Sequence, residues 1–291
     1  MESKSSVCQE VRFKRGNRSL TAKRWHQGGE PTLALHGWLD NANSFNYLAP
    51  RLPQLDIIAL DFAGHGHSDN RPMDVAYRGD LDIEDVLAVV AQVGWDRFNL
   101  IGHSMGAEYG SQLAGLFPDM VSRLVCIDGF VECVEPDKKV AMRAKRIQAN
   151  LKASTSRLRV YASLKDMAEA VVGATKQDYE SAFELVQRGH KAVADGFCWI
   201  TDPRLKQDSW EIVGSGELGE LIKQTTAATL VIDASYGQHW FRPSLAMIDG
   251  KHTSLKVVSI EGSHHLHMTE PSGAKVLDEI RDFLGLTPEP T

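Results

Sequence analysis

Short apolar runs recur along this chain, each closing on a polar or small residue: Thr32–His36, Ile57–Asp61, Phe98–Gly102, Leu124–Asp128, Thr229–Asp233 and Leu255–Ile260. Continuous runs of this kind suit strands buried on both faces of a parallel sheet. Two further segments, Val7–Phe13 and Leu20–Trp25, are joined across Lys14–Asn17 and predict a hairpin. Between the runs the apolar positions switch to helical spacing. Ile83, Val86, Leu87 and Val90 share one helix face, and so do Val276, Ile280, Phe283 and Leu284, with Pro271 near the start. Alternating strand and helix predicts an α/β fold. Ligands of such sheets gather at the carboxyl ends of the strands, which here carry His36, Asp61, Ser104, Asp128 and Asp233. From about Glu132 to Thr226 the alternation gives way to helical patches rich in Lys, Arg, Ala and Glu, with few strand signals. Because this stretch is inserted between two core strands, it predicts a helical cap. The expected organisation is a core of 1–131 and 227–291 with a cap (lid) of 132–226.

Composition narrows the partners. The chain has 291 residues, 43% of them hydrophobic, which suffices for one large α/β domain with an insertion or for two domains. A net charge of −6 and the lack of a basic run argue against nucleic acid. Met1–Gln9 is polar without an apolar core, and no apolar run approaches bilayer length. A cytoplasmic protein is the expectation. Cys8, Cys126, Cys133 and Cys198 show no C-x-x-C spacing and read as reduced thiols.

The sharpest chemical signal is GHSMG, residues 102–106, between a strand and a helix-forming stretch, Ala107–Phe117. A G-x-S-x-G in that setting is a nucleophile elbow, a strained turn that exposes the serine hydroxyl. Ser104 is therefore the candidate nucleophile. The amide of Met105, at the helix N-terminus, is positioned to stabilise an oxyanion. A second amide is expected from the loop after the early strand, in His36-Gly37-Trp38, with Trp38 the candidate.

A serine needs a base, usually a histidine oriented by a carboxylate, in the chain order Ser, acid, His. Three histidines follow the last strand in GSHHLHM. His264, two residues past Gly262, is favoured over His265 and His267 for its reach toward Ser104. A metal reading of the histidine cluster finds no carboxylate or cysteine at a known ligand spacing, so no metal site is expected. For the acid, Asp128 and Asp233 both end strands and both satisfy the order; Asp128 is favoured and Asp233 is the alternative. His65 and His67, in DFAGHGHSD, read as loop hydrogen-bonders. GSGELG, residues 214–219, matches the dinucleotide fingerprint in letters but lacks a βαβ setting.

The blocks LALHGWLDNANSF, IIALDFAGHGHSD, LIGHSMGAEYGSQLAGLFP, LVCIDG and EGSHHLHMTEP together resemble the α/β-hydrolase superfamily. More narrowly, HGWLDNANSF, GHSMGA and WITDPRL are similar to its serine hydrolase-like group, which includes the kraken-type proteins. The resemblance implies an eight-stranded, mostly parallel sheet flanked by helices, a helical lid and a Ser-His-acid triad. It carries over onto Ser104 and His264, and onto the amides of Trp38 and Met105. There is one departure. Many superfamily members place the acid in a G-x-x-D pattern past the penultimate strand, whereas here residues 233–237 read DASYG, with Gly237 at the position of that Asp. This favours Asp128. Serine at the elbow also sets the chain apart from relatives with aspartate there, the haloalkane dehalogenases and epoxide hydrolases.

The leading expectation is hydrolysis of a small-molecule carboxylic ester through an acyl-enzyme, with no organic cofactor. A thioesterase or a carbon–carbon bond hydrolase would use the same triad. A reading of another class is a low-turnover ligand-binding receptor on a hydrolase scaffold. Phe130, Tyr161, Phe183, Phe197, Trp199 and Trp210 are candidates either for an apolar acyl pocket or for packing within the cap.

Overall fold

The computed structural model describes residues 8–134, 136–152, 159–207, 213–248, 250, 252 and 254–286. The start of the expected first strand, at Val7, and the pocket candidate Trp210 lie outside the described residues. The chain opens with β1 (Gln9–Arg15) and β2 (Arg18–Trp25), then enters the sheet with β3 (Glu30–Leu35) and β4 (Leu55–Leu60). Helix α1 (Gly79–Val93) leads to β5 (Phe98–His103), α2 (Met105–Leu116) and β6 (Val121–Ile127).

The inserted stretch follows: β7 (Cys133–Val134), α3 (Pro136–Lys152), α4 (Leu164–Thr175), α5 (Tyr179–Gly189), β8 (His190–Val193), β9 (Gly196–Trp199), β10 (Val213–Gly214) and α6 (Ser215–Gln224). The chain closes with β11 (Ala228–Tyr236), α7 (Arg242–Ile248), β12 (Leu255–Ser263) and α8 (Ser272–Leu284).

Eight strands form one sheet in the order β1-β2-β4-β3-β5-β6-β11-β12. From β4 to β12 all neighbours pair in parallel, and the β1–β2 hairpin adds antiparallel through β2. This is the mostly parallel sheet of an α/β-hydrolase fold. The continuous apolar runs are explained by burial on both faces. Leu33, Leu35, Leu100, Leu124 and Cys126 pack in the cluster shared with Val86 of α1 and Leu113 of α2. The alternate residues Ala34, Ile101, Val125 and Ile127 pack with Val276 and Ile280 of α8. Period-two side-chain alternation thus divides each run between two layers of helix. Chain order reverses between β3 and β5, which opens a crevice at their carboxyl ends.

The insertion holds more β structure than its sequence suggests. β8 and β9 form an antiparallel hairpin across Ala194–Asp195, and β7 pairs with β10. Four-residue strands in a charged, helix-rich context leave little periodic signal. Helices α4 and α5 are each started by a side-chain cap, Ser163 accepting from the Asp166 amide and Asp178 from the Ser181 amide. They enclose a small core of Met167, Ala168, Ala182 and Val186, against which Tyr161, Phe183, Phe197 and Trp199 pack. Those aromatics therefore serve packing inside the insertion, and Phe130 is buried in the main core. Among the described residues no helix is long and apolar enough to cross a membrane.

Candidate active site

The site begins at the turn from β5 to α2. Ser104 has φ 51° and ψ −117°, a left-handed backbone that costs a non-glycine residue of order 1–3 kcal/mol. The surroundings hold it there: the Ser104 amide donates to the Ile127 carbonyl (3.0 Å), and the Ala107 and Glu108 amides both donate back to the Ser104 carbonyl (3.0 Å each). The flanking glycines are required sterically. A Cβ at Gly102 would lie 2.5 Å from the Ala107 nitrogen, and one at Gly106 would lie 2.1 Å from the Leu35 carbonyl oxygen. The first turn of α2 is thereby pressed against the end of β3, and Met105 begins the helix beside the serine.

Ser104, Met105 and Trp38 line one cleft of about 800 Å³. Tyr77, Tyr109, Leu116, Phe117 and Trp240 supply its apolar wall, and Lys139, Arg143 and Arg146 of α3 border it with Glu108, Glu132 and Glu217. None of the described aromatic pocket candidates, Phe130, Tyr161, Phe183, Phe197 and Trp199, is among these residues. Their replacements come from loops and from α2, segments whose cleft-facing side has no periodic signature. Trp38 is half exposed, and its indole N–H donates to the Leu205 carbonyl (2.8 Å), which fixes the ring against the insertion. Further bonds tie the insertion to the loop after β3: Asn41 Nδ2 to the Leu185 carbonyl (2.9 Å) and Asn43 Nδ2 to the Glu184 carbonyl (3.0 Å). Buried Asp61 accepts from the Ala42 amide (2.7 Å), the His67 amide (2.9 Å) and Arg188 of α5 (2.7 Å), joining both loops to the insertion.

His264 leaves the end of β12 and meets Asp128, Nδ1 to Oδ2, at 2.5 Å. Asp128 is fully buried and has φ 41°. Its Oδ1 accepts from the Ala234 amide (3.0 Å) and its Oδ2 from the Gln238 amide (2.9 Å). A Cβ on Gly237 would lie 2.1 Å from Asp128 Oδ2. The residue at the superfamily's common acid position is therefore bare because the Asp128 carboxylate fills the space beside it. Burial pushes the His264 pKa down, the Asp128 hydrogen bond opposes this, and neighbouring His103 adds to the depression. The ring is thus biased toward its neutral, proton-accepting form.

Asp233 is placed differently. It pairs with Arg242 at the start of α7, with Nη2 to Oδ2 at 2.7 Å. The structure brings it to no histidine of the GSHHLHM loop. His267 is buried against Ser44 Oγ (3.1 Å), and burial holds its pKa well below the usual histidine value. His265 is buried against Asp40. His65 and His67 bond within and beside their loop, His65 to the Ala63 carbonyl (3.1 Å) and His67 to Glu10 (2.7 Å). Two buried residues beside this site, His103 and Asp40, were not singled out from the sequence. The position of His103 between Gly102 and Ser104 was the available signal.

Similarities to known proteins agree with this architecture. Residues 31–171 match the family model of the alpha/beta hydrolase fold. Over 289 residues the chain is 32% identical to serine hydrolase-like protein 2 of Homo sapiens, covering 92% of this chain and 91% of that protein. It is 30% identical to a probable serine hydrolase of Drosophila melanogaster, covering 91% and 84%. Among solved structures, a hypothetical protein from Pseudomonas aeruginosa aligns with a TM-score of 0.87 at 35% identity, covering 95% of this chain and 99% of that one. A thioesterase domain from the curacin biosynthetic pathway shares the fold, with a TM-score of 0.83 at 20% identity over 95% of this chain and 99% of that domain.

Proposed function

The chain belongs to the alpha/beta-hydrolase fold family, and on that premise we propose that it is a serine hydrolase cleaving carboxylic esters of small to medium acyl chain. The observation that carries this reading is a strained, cleft-lining Ser104 whose amide bonds the carbonyl of Ile127, next to the buried Asp128 that holds His264. The inserted stretch, 132–226, is proposed as the cap over the cleft, with α6 returning the chain to the core.

In the proposed reaction His264 Nε2 takes the Ser104 proton as Oγ attacks the acyl carbon. Asp128, on Nδ1, fixes the tautomer that leaves Nε2 free and stabilises the imidazolium that forms. The Trp38 and Met105 amides hold the oxyanion, where preorganised donors contribute most. His264 then gives its proton to the leaving alcohol. Water, activated by the same ring, releases the acid and restores Ser104. The apolar wall of Tyr77, Tyr109, Leu116, Phe117 and Trp240 suits an acyl chain.

The test is hydrolysis of p-nitrophenyl acetate, butyrate and octanoate by wild type and Ser104→Ala, with acyl-CoA thioesters in parallel. Ser104-dependent turnover of the esters, exceeding that of the thioesters, is expected. Retention of most ester turnover by Ser104→Ala would sink the reading. Absence of turnover with rapid fluorophosphonate labelling of Ser104 would favour a receptor.

A further inference from the structure

A second carboxylate lies behind the proposed triad. Asp40, in the loop after β3, is buried together with His103, His265 and His267. His265 Nε2 donates to Asp40 Oδ1 at 3.3 Å, and His103 Nδ1 lies 3.2 Å from Asp40 Oδ2. The other nitrogen of His103, Nε2, is 2.9 Å from the backbone carbonyl of His264.

These contacts constrain the protons. A carbonyl oxygen only accepts, so His103 Nε2 must carry a hydrogen. Were Nδ1 bare, its lone pair would face a buried carboxylate oxygen, and neither atom has another hydrogen-bond partner among the described residues, an arrangement that leaves both groups unsatisfied. A hydrogen on Nδ1 as well makes His103 an imidazolium and turns the 3.2 Å contact into a buried ion pair. Burial alone would raise the Asp40 carboxyl, yet the His265 and His103 rings hold it well below the usual carboxylate range.

We propose that Asp40 and His103 form a buried carboxylate–imidazolium pair that positions the His264 loop through its backbone carbonyl. The inference rests on His264 being the base of the proposed reaction. One carboxylate would then register three segments: the loop offering the Trp38 amide, the elbow through the residue before Ser104, and the His264–His265 loop. Asp40 and His103 are positioning residues; neither touches the reacting atoms. Their charge also reaches the base, because the rings of His103 and His264 have centroids 4.7 Å apart. The titratable groups facing His103 are Asp40, His264, His265, His267 and, through the β3 loop, His36. A positive ring there opposes a second proton on His264.

The direct test is long-range ¹H–¹⁵N correlation of the histidine rings in wild type at neutral pH. Both His103 nitrogens should be protonated, and Asp40→Asn should convert the ring to a neutral form protonated on Nε2. A bare Nδ1 in wild type would overturn the proposal. This readout does not depend on catalysis, so it stands apart from any failure of the esterase reading. In ester hydrolysis Asp40→Asn should lower kcat about 10-fold to 100-fold with KM nearly unchanged, and move the acid limb of the pH profile upward. His103→Gln, whose amide can still donate to the His264 carbonyl, should retain more kcat than His103→Leu. Equal losses in those two variants, or an unmoved acid limb in Asp40→Asn, would contradict it. Ligand atoms of Asp40, His103 and His265 also lie within 4.8 Å of one another. Stoichiometric Zn²⁺ uptake by wild type, lost in Asp40→Asn, would mean a cation rather than a proton fills the cluster, and would equally overturn the pair.

Discussion

Asp128 and Asp233 lie at the same level of neighbouring parallel strands, since Ile127 of β6 is in register with Ile232 of β11. By sequence they are near equivalents, each an aspartate closing an apolar run. In the fold they diverge. Asp128 comes just after β6 ends and takes a left-handed backbone (φ 41°), which turns its carboxylate out of the strand's alternation toward His264 and the amides of Ala234 and Gln238. Asp233 stays inside a strand that runs on to Tyr236, and its side chain keeps the alternation set by Val231, on the layer where Arg242 awaits it. The chemistry available to a strand-end carboxylate is thus decided by where the strand stops. The bare Gly237 completes the contrast, for it leaves space to Asp128 and none to an acid of its own.

The expected effects of substitution sharpen this contrast, the largest first. Ser104→Ala should lower ester turnover roughly 10⁴-fold or more, read as kcat on p-nitrophenyl butyrate. Asp128→Asn should lower kcat about 10³-fold to 10⁴-fold by freeing the wrong His264 tautomer. Its amide would also point an N–H at the Ala234 or Gln238 amide, so thermal unfolding should begin at a lower temperature as well. Gly237→Ala forces a Cβ onto the Asp128 carboxylate and should cost about 10-fold to 100-fold in kcat; an unchanged kcat would show that the carboxylate has room to move.

The pH dependence follows from His264. The ring must be neutral to accept a proton, and its value in the fold lies below the ordinary 6.5. On the proposed mechanism, activity should therefore be full above that depressed value and be lost as pH falls through it. At pH 6.5 a wild-type kcat/KM profile should still retain more than half of its plateau. An acid limb centred above 6.5 would contradict the depressed base. The smallest effect is reserved for Asp233→Asn. It removes a partly exposed ion pair with Arg242, so kcat should stay within about 2-fold and stability within about 1 kcal/mol.

The layered core was legible because each β run is apolar throughout and each helix carries its apolar face at helical spacing, as Leu33–Leu35 and Val86–Val90 illustrate. The elbow was legible because close packing of α2 on β3 demands glycine on both sides of the serine. Less was readable where the deciding factor is backbone direction. Nothing in LVCID versus LVID marks which aspartate leaves its strand. The aromatics of the insertion were ambiguous because packing and ligand binding select the same residue types, and the fold assigns those described to packing. The Asp40–His103 contact joins residues far apart in sequence, so it had no local pattern to betray it.

The most direct test of the account is the rate at which a fluorophosphonate labels Ser104, followed by intact mass in wild type, Asp128→Asn and Asp233→Asn. This reads nucleophile activation without any assumption about the natural substrate. The account predicts labelling slowed by roughly three orders of magnitude in Asp128→Asn and unchanged in Asp233→Asn. Labelling slowed in Asp233→Asn and preserved in Asp128→Asn would contradict it.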